Sequence, residues 1–261
     1  MKQLLLVLIT AFTFSFSADA NSLIHQDMSL LSTLEFNQLE FPTNQFVPEV
    51  HTKNQIVLHH TASGKGVNGD YRHWLNDPKR IATCVIVDSE GVVNQLFSSK
   101  YWGYHLGIKS KVFRNRNIPY QRLDKSTIGL EIDNWGGLKF IDNEWRSYPN
   151  DWGRGNLTHR KSGNKVKVVL DEKNLVFYSN GFRGYEAFER YGNKELETTA
   201  VLLKYWNKHY NIPIDYNSDI WDVTDRALKG EAGLFTHVSY RSDKSDCHPQ
   251  KELINMLKSL T

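Results

Sequence analysis

The chain has 261 residues, 40% of them hydrophobic, at a mean hydropathy of −0.50; it is long for one domain and short for two, so a proper buried core in a soluble molecule is expected. A formal net charge of +3, with 32 Lys and Arg scattered among 29 Asp and Glu, gathers no basic stripe and gives no electrostatic case for nucleic acid. Two cysteines, Cys84 and Cys247, can close at most one bridge, which excludes a disulfide scaffold.

In chain order, a positive Met1-Lys2-Gln3 precedes the apolar run Leu4 to Phe16, and Ser17-Ala18-Asp19-Ala20 ends in an A-x-A pattern. This reads as a secretory signal, residues 1–20, cleaved after Ala20; the run is shorter than the ~20 residues a spanning helix needs. No cysteine follows it for lipid attachment, so no membrane anchor is expected after cleavage and the mature chain is expected to be exported. Residues 21–50 are polar and read as a leader that wraps the domain or dangles, and residues 51–261 as the domain itself. Gln55–His60 is the first clear strand, and Asp70–Asn76 a short helix ended by Asp77-Pro78. Ala82–Asp88 and Val92–Phe97 flank the turn Ser89-Glu90-Gly91, a hairpin signature. Ser126–Asp133 is another apolar strand.

From residue 135 to 191 glycine, aromatics and charges alternate without periodicity, which marks an insertion with some β structure. Lys165–Leu170 and Leu175–Tyr178 around Asp171–Asn174 predict a hairpin within it. Asn193–Tyr210 is the best helix: Leu196, Ala200, Leu203 and Trp206 keep helical spacing, Asn193 is placed as N-cap, and Pro213 lies just past the end. Pro249–Leu260 predicts a last helix with proline in its first turn and Leu253, Met256, Leu257 and Leu260 on one face. Strands and helices interleave, so the class is mixed α/β.

Three segments carry chemistry. In Ile56–Ser63, IVLHHTAS, adjacent strand residues point to opposite faces, so His59 and His60 cannot both serve one site. In Leu234–Pro249, LFTHVSYRSDKSDCHP, His237 again follows an apolar stretch and Lys244, Asp246 and Cys247 follow it. One histidine from each segment with a carboxylate or a thiolate makes three zinc donors and leaves the fourth position open, the pattern of a catalytic rather than a structural site. In Ile128–Asn134, IGLEIDN, Glu131 stands in an otherwise apolar strand, where its pKa is expected to rise to suit a general base or acid. H-E-x-x-H, G-x-S-x-G, Walker and C-x-x-C motifs are all missing.

These three segments occur in the order found in the zinc-dependent N-acetylmuramoyl-L-alanine amidases, the amidase-2 family related to T7-type lysozyme and the peptidoglycan recognition proteins, which the chain resembles. ATCVIVDSEGVVNQL resembles that family's strand-turn-strand, and GYHLG its A-W-H-A-G segment. The resemblance runs from about Gln55 to Leu260, interrupted by the insertion. It implies a single domain with a mixed central sheet flanked by helices, and one bound Zn2+. It further implies His59, His237 and Asp246 as zinc ligands, Glu131 and Lys244 as catalytic residues, and His105 as a residue of the substrate groove. Two departures stand out. Cys247-His248-Pro249 replaces the usual Pro-Gly-Pro, so Cys247 competes with Asp246 as third ligand. Val85 stands where some relatives place a tyrosine, which matches the subgroup relying on glutamate.

The activity implied is hydrolysis of the bond between N-acetylmuramic acid and L-alanine, with peptidoglycan or muropeptides as partners and a secreted or periplasmic location. The competing expectations are a peptidoglycan-binding module of the same fold without catalysis, and an unrelated secreted zinc peptidase. The insertion is expected to form a wall or flap over the groove.

Overall fold

The computed structural model describes residues 31–64, 66–147, 156–158, 165–167 and 169–261. The expected signal segment, 1–20, lies outside the described residues. Among those described, no helix is long and apolar enough to cross a membrane.

The core is a six-stranded mixed sheet formed by β1 (Phe36–Gln38), β2 (Gln55–His60), β3 (Val85–Val87), β4 (Val93–Gln95), β5 (Thr127–Ile132) and β13 (Gly233–Thr236), the last numbered in chain order after the strands given below. Their order is β1-β4-β3-β5-β2-β13. Only β3 and β4 pair antiparallel, as the expected hairpin; β3, β5, β2 and β13 run parallel. Parallel strands are covered on both faces and therefore read as continuous apolar runs. Ile56, Val57, Leu58, Leu130 and Ile132 are all fully buried. The leader, where described, wraps rather than dangles: β1 adds an edge strand to β4, and Phe41 and Phe46 enter the core.

Two helices cover the sheet where the sequence puts them. Helix α3 (Asn193–Tyr210) buries Leu196, Leu203 and Trp206, and α5 (Lys251–Lys258) buries Leu253 and Leu257. Their starts differ from expectation by one and two residues. Gly192 is the N-cap of α3, because the Glu195 carboxylate reaches back to its N–H; Asn193 is the first helical residue. Gln250 caps α5, leaving Pro249 just outside it. The shorter helices are α1 (Asn68–Leu75), α2 (Ser110–Arg114) and α4 (Asp225–Leu228).

The insertion builds a second sheet from β6 (Gly137–Ile141), β7 (Glu144–Arg146), β10 (Val169–Leu170), β11 (Leu175–Phe182) and β12 (Tyr185–Glu189), in the order β10-β7-β6-β12-β11. A separate ribbon joins β8 (Asn156–Thr158) to β9 (Lys165–Lys167). The hairpin expected around Asp171–Asn174 does not form: that turn carries the chain from one edge of the sheet to the other. The real hairpins close at Asp142-Asn143 and Arg183-Gly184. All four residues have positive φ, which gives two-residue loops the twist that matches the flanking strands.

The insertion leaves and rejoins the core at one point. The Glu189 N–H donates to Gly136 O at 3.0 Å, and the Trp135 N–H to the Glu189 carboxylate at 2.6 Å.

Candidate metal and catalytic site

In open parallel sheets, functional groups collect beyond the carboxyl ends of the strands. Here register decides which groups those are. On β2 and β5, His59 is directly opposite Glu131. On β13, Thr236 is opposite Leu58, which places His237, the next residue, beside His59. Side chains in register share a face, so His59 and Glu131 converge by pleat, and His237 joins them from the first residue of the turn that follows β13. His60 turns to the other face, where its Nδ1 meets the Tyr191 hydroxyl at 2.8 Å.

The loop after His237 returns Asp246 to the same point. The Asp246 Oδ2 lies 2.8 Å from His237 Nδ1 and 3.1 Å from His59 Nδ1, and the two Nδ1 atoms are 3.1 Å apart. All three residues are buried. Among the described residues this is the cluster with metal-ligand geometry.

The protons of the site can be traced. A backbone carbonyl only accepts, so His237 donates its Nε2–H to Leu106 O at 2.9 Å and turns Nδ1 toward the cluster. The Thr127 hydroxyl donates to Asp124 O at 3.3 Å, so it accepts from His105 Nε2 at 2.7 Å. The bare His105 Nδ1 then accepts from His59 Nε2 at 2.9 Å, and His59 also turns its Nδ1 toward the cluster. The Nδ1 atoms of His59 and His237 and the Asp246 carboxylate oxygen are thus turned toward one another. Three such atoms are drawn together by a bound cation or by a proton shared with the carboxylate.

A tetrahedral zinc with ligands at about 2.0–2.1 Å needs its donors about 3.3 Å apart. The observed triangle is within a few tenths of an ångström of this. Burial pushes His59 down to about 4, with His237 adding to it against Asp246, so its imidazole is neutral as a ligand must be. Burial alone would raise Asp246. The histidines beside it outweigh that and hold its carboxyl well below the usual range.

Glu131 borders this cluster. Its burial, with the Asp246 and Asp70 carboxyls nearby, pushes its pKa well above the ordinary value, against the pull of Lys244. Its Oε2 has no hydrogen-bond partner. A cavity of about 200 Å³ opens over the cluster, with Glu131 and Lys244 in its wall. A neighbouring cavity of about 370 Å³ shares Ile81, His105, His237 and Lys244, and is lined further by Lys79, Tyr104 and Arg241.

The sequence assignments meet this geometry unevenly. His59, His237, Asp246, Glu131 and Lys244 come together around one cavity. His105 borders both cavities, but its ring nitrogens are spent on His59 and Thr127. Cys247 turns into the core, fully buried, and Cys84 is likewise free and buried, so no disulfide links them.

Sequence reasoning missed the supporting groups Leu106 O, Thr127 and Asp124. It also missed the role of the insertion. Among the described residues, none from 135 to 191 lines either cavity. The insertion instead grips the ligand loop from behind. Arg183 donates to Asp222, Trp221 O and Ser242 O. Tyr178 donates to His248 Nδ1 at 2.7 Å, while His248 Nε2 donates to Glu189 O at 3.0 Å. The Tyr191 hydroxyl accepts the His248 N–H at 3.2 Å. No local signal could have revealed these contacts, because every partner is remote in sequence.

No protein-family model matches the chain, and no curated protein matches it in sequence. Solved structures do. The structure of PlyL is 15% identical, with 87% of this chain and 98% of that one covered, at a TM-score of 0.45. The Staphylococcus aureus hydrolase AmiA, in complex with its ligand, is 11% identical over 95% and 93%, at 0.44. The N-acetylmuramoyl-L-alanine amidase LysC from Clostridium intestinale URNW is 10% identical over 85% and 94%, at 0.40. At such scores these similarities carry no chemistry over to this chain.

Proposed function

We propose that this chain is a zinc-dependent N-acetylmuramoyl-L-alanine amidase, cleaving the amide between the lactyl group of N-acetylmuramic acid and the L-alanine of the stem peptide. The secreted or periplasmic location proposed for it is where that substrate lies. The observation that carries the reading is the convergence of two imidazole Nδ1 atoms and a carboxylate oxygen beside the raised carboxyl of Glu131. The order of the sequence motifs supports it.

His59, His237 and Asp246 would hold a zinc ion, which would supply a Lewis acid for the scissile carbonyl and lower the pKa of water from ~15.7 toward ~7. The protein's own groups do the rest. Glu131 takes the proton of the attacking water, which its raised pKa favours, and hands it to the leaving amine. Lys244 faces the same cavity and stabilises the oxyanion as the carbonyl is attacked. His60 serves the scaffold. The adjoining cavity, with an apolar floor and cationic Lys79, Arg241 and Lys244 around it, has room for part of a stem peptide. A peptidoglycan-binding module without catalysis would need neither a full donor set nor a buried carboxyl at its centre.

The test is digestion of purified muropeptides followed by mass analysis. The reading expects a free stem peptide with an N-terminal alanine and a sugar ending in the lactyl acid, with both products lost on chelation. Intact muropeptides, or cleavage between amino acids, would contradict it.

A further inference from the structure

The outer nitrogens of both candidate ligand histidines end on two consecutive residues. His59 Nε2 meets the His105 ring, and His237 Nε2 meets the Leu106 carbonyl. The backbone N–H groups of those same two residues end on a single atom: Asp124 Oδ1 accepts from His105 N and from Leu106 N, each at 3.0 Å. The carbonyl of Asp124 also receives the Thr127 hydroxyl, which fixes the direction of the bond that Thr127 takes from His105 Nε2.

We propose that Asp124 is the positioning residue that presets both ligand histidines, by pinning the His105–Leu106 segment whose side chain and carbonyl select their Nδ1 atoms for the metal. The role of a second hydrogen bond in choosing which imidazole nitrogen ligates is general. What is particular here is that one carboxylate governs two ligands.

The surroundings are built for this. Asp124 sits in the turn Leu123–Lys125, directly before β5, and Leu123 is anchored in the core. Leu106 is fully buried, so the segment it shares with His105 is held from below. The buried ammonium of Lys53 donates to Lys125 O, Thr127 O and Tyr101 O, which ties the turn to the strand and to the segment leading into Gly103–Gly107. Gly129 leaves room for the ring: a Cβ there would stand 3.0 Å from His105 Nδ1 and 2.8 Å from Thr83 Cγ2.

The inference rests on the metal reading only in its affinity arm, because proton placement on the histidines can be read without metal. In the metal-free full chain, nitrogen NMR of the imidazoles should show a proton on Nε2 of both His59 and His237. Asp124→Ala should erase this pattern for both, and Thr127→Val should erase it for His59 while sparing His237. Asp124→Asn, which keeps an oxygen acceptor, should restore it. Zinc affinity measured by chelator competition should fall about 10–100-fold in Asp124→Ala, the range typical of outer-shell losses, and recover in Asp124→Asn. If Asp124→Ala lowers thermal stability but leaves both the tautomers and the zinc affinity unchanged, the assignment is overturned. Thr127→Val decides the matter by the same NMR pattern if Asp124→Ala does not fold. Absence of zinc binding in the wild type would sink the amidase reading while the tautomer pattern still judged Asp124.

Discussion

Replacing Glu131 by glutamine separates catalysis from metal binding. The amide fills the same volume in a site only 8% exposed, and Glu131 is not one of the three converging donors. Zinc content should therefore be unchanged. The variant loses the proton acceptor, and a positioned general base is worth about 10²–10⁴ in rate, or roughly 3–5 kcal/mol of barrier. kcat for muropeptide cleavage should fall by that factor with KM little changed.

Stability should move the other way in the metal-free protein. The folded-state pKa of Glu131 lies above the unfolded value near 4.5, with burial the largest cause. The wild type therefore loses stability as pH rises from that value up to the folded one, at about 1.4 kcal/mol per pH unit across the window. The glutamine variant lacks this loss. Denaturant unfolding at pH 4 and pH 8 should show the two proteins converging at the lower pH and the variant ahead at the higher. Retention of more than a tenth of the wild-type rate, or loss of zinc, would refute the role given to Glu131.

Three further outcomes follow from the geometry. His60→Ala should keep zinc and lose about 1–3 kcal/mol of stability, because it leaves the proton of the buried Tyr191 hydroxyl without its acceptor; metal loss by elemental analysis would mean that the wrong face was assigned. Tyr178→Phe should cost a similar 1–3 kcal/mol in thermal unfolding and weaken zinc binding in a chelator titration, since His248 follows Asp246 by two residues; an unchanged zinc affinity would reduce the insertion to a purely stabilising element. Burial lowers Lys53 from 10.5 to about 8, so its protonated form destabilises the fold below that value and the cost is relieved as pH rises toward 10.5. Wild-type stability should therefore climb with pH between about 8 and 10.5 relative to Lys53→Met, by up to about 3 kcal/mol in urea unfolding; parallel pH profiles would refute the shift.

What could be read from the sequence was what pattern and pleat encode. Gln55–His60 is a strand with the predicted bounds, and alternation alone separates His59 from His60. The helix Asn193–Tyr210 is equally legible, since its apolar stripe, its end at Asn211 and the following proline agree. The third candidate donor was harder, because Asp246 and Cys247 are neighbours and only the path of the loop sends the carboxylate to His237 and the thiol into the core. The insertion was misread where the sequence offered competing turns. Asp171–Asn174 looks like a hairpin turn, whereas the pairing was decided by Asp142-Asn143 and Arg183-Gly184. The supporting shell could not be found by pattern at all. Asp124 and Leu106 are ordinary residues whose importance comes from contacts 18 and 131 positions away.

The most direct test of the central claim is the metal content of the purified wild type beside Asp246→Ala and Cys247→Ser. The account predicts one zinc per chain in the wild type and in Cys247→Ser, and none in Asp246→Ala. Zinc retained in Asp246→Ala but lost from Cys247→Ser would contradict it, because the donors would then not be the three atoms that converge here.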